Sequence, residues 1–138
     1  MSKAVQEQIS VTDYLVPLVF QATNIPDAAG TANGVEPTTT EYVMPWAGSV
    51  VGISAGLNAA LSGGTLTFRP TINGTANTGL TVALSGSAQR ASANKPADTV
   101  NFSAGQRLGV DWTKSGTVNP TTTDGIIILW VLMTGVKL

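Results

Sequence analysis

The chain contains no cysteine and no histidine, and only 11% of its residues are charged. Each shortage removes a class of function. Without cysteine there is no disulfide framework, thiolate metal site or thiol nucleophile, so a small disulfide-stapled secreted fold is excluded. Without histidine the commonest general base and metal ligand is gone as well. The eight Asp and Glu residues never fall two or four residues apart, so no local carboxylate pair presents itself for acid–base chemistry. These absences lead to the expectation that the chain is not an enzyme and uses no cofactor.

Soluble domains carry about 25% charged residues. Here Gly, Thr, Ser, Asn and Ala fill the polar positions, and the formal net charge is −1. The seven Lys and Arg residues are scattered singly from Lys3 to Lys137, leaving no basic stripe to neutralise a phosphate backbone, so nucleic acid is not an expected partner. A neutral, hydrogen-bonding surface repels its neighbours weakly and suits a protein packed against other subunits. Long apolar runs are also missing. The longest, Ile126 to Met133, falls well short of the roughly 20 residues of a membrane-spanning helix, and no membrane association is expected. The opening MSKAVQEQISVTD has no hydrophobic signal core and reads as the start of a protein made in the cytoplasm.

What is present is period-two alternation. In Thr65 to Ile72, Leu66, Phe68, Pro70 and Ile72 point one way and Thr65, Thr67, Arg69 and Thr71 the other, giving a core face and a wet face. Pro70 predicts an edge or a bulge for this strand. Asn73 to Gly79 then supplies residues that tolerate positive φ, predicting a hairpin with a moderately long loop before Leu80, Val82 and Leu84. Val51, Ile53, Ala55 and Leu57 predict an earlier strand, Val100 and Phe102 a short later one, and Leu108, Val110 and Trp112 another. Two further strands are expected at Tyr14 to Phe20, where Pro17 favours an edge, and at Glu41 to Trp46, where Tyr42, Met44 and Trp46 share a face. The last strand, Asp124 to Thr134, is apolar on both faces, so it should be central or covered outside by another subunit.

About eight short strands with Gly-, Asn- and Ser-rich turns fit an all-β antiparallel sandwich of jelly-roll type, with an immunoglobulin-like sandwich as the competitor. The expected layout is an extended N-terminal arm over 1–13 and a single domain over 14–138. Gln21 to Thr40 reads as a long aperiodic loop, and loops of that length are usually functional or disordered.

The remaining candidate sites have plain structural readings beside the functional ones. Asp98, Asp111 and Asp124 lack calcium-loop spacing and read as turn or solvent residues. Asn73-Gly74-Thr75 matches a glycosylation acceptor but sits in a predicted turn. Trp46, Trp112 and Trp130 could stack on a sugar; Trp112 and Trp130 share apolar patterns that favour the core, while Trp46 stays open between core, sugar site and subunit anchor.

The succession PWAGSVVGISAGLNAAL, GGTLTFRPTINGTANTGLTVAL, VNFSAGQRLGVDWT and DGIIILWVLM resembles the small virion proteins of tailed bacteriophages. The likeness is greatest to head decoration, or cement, proteins and more distant to fibre-tip domains, and it covers roughly Tyr42 to Met133. It implies a homotrimer on the capsid exterior, made in the host cytoplasm, bridging and stabilising the major capsid protein without enzymatic activity. The alternative it leaves is a carbohydrate- or receptor-binding module of a tail fibre or spike. If decoration holds, the arm and the long loop are the candidate capsid or subunit contacts, through Val5, Ile9 and Val11 in the arm, Ile25 in the loop, and Trp46.

Overall fold

The computed structural model describes residues 11–25, 30–32, 34, 40–120 and 123–137. The described chain is all β, with no helix among these residues. Eleven segments follow in order: β1 (Val11–Ile25), β2 (Gly30–Thr31), β3 (Glu41–Val43), β4 (Gly48–Leu57), β5 (Gly63–Ile72), β6 (Thr75–Ala76), β7 (Val82–Ser85), β8 (Arg90–Asn94), β9 (Asn101–Phe102), β10 (Arg107–Asn119) and β11 (Thr123–Lys137). Counting β2 with β3, β6 with β7 and β8 with β9 as halves of interrupted strands gives eight. The first pairs with the eighth, the second with the seventh, the third with the sixth and the fourth with the fifth, all antiparallel. The eighth also pairs with the third and the seventh with the fourth, so the nested hairpin rolls into two sheets. That pattern is the jelly roll. The first sheet runs β1-β11-β4 and then β8 and β9; the second runs β2 and β3, then β10-β5, then β6 and β7.

Alternation decides what lies between the sheets. Ile127, Leu129 and Val131 of β11 and Ile53 and Ala55 of β4 meet Leu66 and Phe68 of β5 and Leu108, Val110 and Trp112 of β10 in one buried cluster. The edge strands close over it. Tyr42 of β3 donates its hydroxyl to the Val19 carbonyl of β1 at 3.0 Å, and its ring meets Phe20 edge-on with centroids 5.2 Å apart. Sheet two is thus tied to sheet one along their shared β1–β3 border. The buried Ser49 hydroxyl is satisfied twice, donating to Asn101 Oδ1 at 2.8 Å and accepting from the Asp98 amide at 2.9 Å.

Several sequence expectations change in detail. β1 and β11 are 15 residues each and pair along their length, from Val11 opposite Lys137 to Ile25 opposite Thr123. Val11 to Asp13, expected in the arm, and Gln21 to Ile25, expected in the loop, are therefore strand. The strand expected over Glu41 to Trp46 stops at Val43, because Pro45 lacks an amide hydrogen and the chain bends there. A bulge between Gly52 and Val50 shifts the β4 register, so Val50, not Val51, is fully buried. β5 lies inside its sheet, yet Pro70 fits. Its carbonyl accepts from the Asn77 amide, so its nitrogen also points away from β10, into the gap between β6 and β7 where no ladder bond is needed. The hairpin after β5 is tighter than expected. Ile72 pairs with Thr75 across Asn73 and Gly74, both at positive φ (51° and 81°), the signature of a two-residue Asn-Gly turn.

Candidate assembly interface

Among the described residues one small pocket of about 80 Å3 brings Glu41 and Asp111 together, and each is held by an arginine. Among the described residues no three Asp or Glu side chains converge. Of the acids weighed for calcium, Asp111 is held by Arg69 across the β5–β10 ladder, with oxygens 3.0 and 2.7 Å from Nε and Nη2. Asp124 starts β11 and Asp98 lies in the segment between β8 and β9. Asn73 and Thr75 lie in and beside the β5–β6 turn.

The unusual surface is the outer face of the first sheet. β11 is central, flanked by β1 and β4. Its inward residues Ile127, Leu129 and Val131 are fully buried, so alternation turns an equally apolar row outward: Ile126 (50% exposed), Ile128, Trp130 (38%) and Leu132. On β1 the register places Leu15 beside Leu132, Pro17 beside Trp130 and Val19 beside Ile128, and Leu15 is 58% exposed. Exposed contiguous apolar surface on a soluble domain marks an interaction site.

Next to this ridge the sheet becomes low. β4 presents Gly52 opposite Trp130, Ser54 opposite Ile128 and Gly56 opposite Ile126. The small side chains leave a groove of about 590 Å3 whose far wall is Arg90 and Ser92 of β8. A second groove, of about 500 Å3, wraps the end of the ridge between Thr23, Gly56, Asn58 and Ile126. Its floor is fixed by Asn58, whose Oδ1 accepts from the Thr123 hydroxyl at 2.8 Å and the Asp124 amide at 3.1 Å.

The residues singled out in sequence fall in different places. Val5 and Ile9 lie outside the described residues, and of Val11 only the backbone is described, paired to Lys137. Ile25 is buried at the far end of β1, packed in the core. Trp46 is exposed (42%) in the bend before β4, beside Val43 (65%). Ala47 accepts from the Thr134 amide, and Asp13 accepts from the Gly135 amide, so the bend holding Trp46 and the start of β1 share one end of the sandwich. Trp112 is buried as expected, whereas Trp130, expected in the core, faces outward. Leu15, Ile126 and Trp130 were not singled out as contacts; the signal for the two on β11 was its apolarity on both faces.

No family model and no curated protein matches the chain. Among solved structures it is similar to a chain of the acidic stable capsid structure of Helicobacter pylori bacteriophage KHP30, with a TM-score of 0.52 and 13% identity, covering 89% of this chain and 93% of that one. It is also similar to a chain of the capsid asymmetric unit of cyanophage Pam1, with a TM-score of 0.51 and 14% identity, covering 91% and 86%. At such identities the likeness speaks to the fold, and the fold is that of jelly rolls found in viral capsids.

Proposed function

We propose that this chain is a non-enzymatic structural protein of a bacteriophage particle that decorates the outside of the capsid as a homotrimer and stabilises it. The observation that carries this reading is the likeness, over nearly the whole of both chains, to two chains of phage capsid structures. The apolar outer face of the first sheet and the low charge of the chain support it, since both suit a protein packed against partners.

The mechanism is mass action. A protein that binds the assembled, expanded shell and not its separated subunits stabilises the shell by RT ln(1 + [L]/Kd), about 2.7 kcal/mol at a hundred times Kd. Shell contact is assigned to the end of the sandwich shared by Trp46 and Val11, at the start of β1, with Val5 and Ile9 of the preceding arm adding apolar contact to the major capsid protein. Ile25, being buried, is left to the core. The test is to mix the purified chain with heads that lack it and measure bound copies and the melting temperature of the heads. Saturable binding with a raised melting temperature is expected; no binding sinks the proposal.

The exposure of Trp46 favours one second reading, a glycan-binding module of a fibre or spike. Glycan-array binding abolished by Trp46→Ala in a protein that remains folded would support it over decoration.

A further inference from the structure

The two outward faces of the sandwich are dressed differently. On the second sheet Thr65 and Thr67 share the surface with the Arg69–Asp111 pair, and Arg107 meets Glu41 at 3.2 Å along the β3 edge. That is an ordinary wet face. On the first sheet no outward side chain is charged from Leu15 to Val19 on β1 or from Ile126 to Leu132 on β11. We infer that this face is covered by a second copy of the chain, with the β11 ridge of one copy lying in the β4–β8 trough of the other. The inference deepens the homo-oligomeric reading above by naming its surface.

Three observations select a second copy as the occupant. First, the ridge and the trough lie side by side on one face, Trp130 and Ile126 standing next to Gly52 and Gly56. A surface that carries both a projection and a matching depression lets the ridge of each copy enter the trough of its neighbour, a head-to-tail contact that closes into a ring. Second, the ridge is neutral, so two copies meet there without like-charge repulsion, and the charge of Arg90 sits on the far wall of the trough. Third, the face supplies the core of an interface. Seven residues along the strand, Ile126 to Leu132, at about 3.4 Å each and four strands at about 4.8 Å each cover roughly 24 Å by 19 Å. That is roughly 450 Å2 of plane per copy, over half of the roughly 800 Å2 of accessible surface that a standard contact buries per partner.

The experiment is the solution mass by light scattering after size exclusion, for the wild type and three charge insertions. Ile126→Glu and Leu15→Glu place a carboxylate on the face, and Val43→Glu places one at an equally exposed apolar residue elsewhere. The expected result is a multiple of 14.1 kDa for the wild type and Val43→Glu, falling to a single chain for the two face variants, with far-UV circular dichroism unchanged. Leu15, on an edge strand and more exposed than Ile126, keeps the test open if Ile126→Glu fails to fold. A wild type that stays a single chain at high micromolar concentration overturns the inference, as does an oligomer indifferent to both face variants. Head binding, measured in parallel, keeps the two proposals apart. A monomeric wild type whose head binding is lost with Leu15→Glu would assign the face to the shell and leave decoration standing. A multiple of two rather than three would keep the face and overturn the trimer.

Discussion

The indole of Trp130 stands over Gly52 of the neighbouring strand, its Cβ and Cδ1 3.3 and 3.4 Å from where a side chain on Gly52 would begin. The glycine lets the ring settle toward β4. Gly52→Val is expected to lift it and weaken self-association roughly tenfold, about 1.4 kcal/mol, with the strand content intact. Concentration-dependent light scattering reads this directly, and wild-type association in the variant would show that the indole's position does not matter.

The two tryptophans at β10 and β11 should behave oppositely. Trp112 is buried opposite Phe68, whereas Trp130 faces out. Trp112→Ala should cost about 3–5 kcal/mol of stability. Trp130→Ala should cost about 1 kcal/mol or less when measured in the Ile126→Glu background, where association no longer contributes. Guanidinium unfolding of each variant checks the contrast, and equal losses would contradict the placement of Trp130.

Sequence could not separate these two rings, because both sit in period-two patterns with apolar neighbours. Alternation says which residues share a face, and only polarity says which face is wet. On β5 the threonines and Arg69 mark the wet side, so Leu66 and Phe68 were legible as core. On β11 Ile126, Ile128 and Trp130 match Ile127, Leu129 and Val131 in character, and nothing local distinguishes outside from inside. The bulge at Val50 and Gly52 was hidden for a related reason. It answers to the register with β11, which is a long-range property, whereas the Asn73-Gly74 turn is set by its own two residues. The Leu15–Trp130 surface needed the β1–β11 register to assemble it, and so emerged only with the fold.

Two glycines of β4 give a matched pair. A side chain at Gly48 would collide with the backbone carbonyl of Leu132, which cannot rotate away, while one at Gly56 would meet nothing within 4 Å. Gly48→Ala is expected to destabilise by about 1–3 kcal/mol. Gly56→Ala should be neutral or stabilise by up to about 1 kcal/mol through reduced freedom of the unfolded chain. Thermal unfolding in the Ile126→Glu background, where association no longer contributes, tests both.

Tyr42→Phe removes the hydroxyl that reaches the Val19 carbonyl but keeps the ring against Phe20. The expected loss is about 0.5–1.5 kcal/mol, the net worth of one hydrogen bond. Amide exchange should also quicken along the β1 border of the first sheet. A variant with unchanged stability and exchange would show that this bond does not hold the two sheets together.

The most direct test of the structural role is electron cryomicroscopy of phage heads carrying the bound chain. The account predicts density for three copies outside the shell at local threefold positions, with the outer faces of their β1-β11-β4 sheets turned toward one another. Added density elsewhere on the head, or three copies whose β1-β11-β4 faces point away from one another, would contradict it.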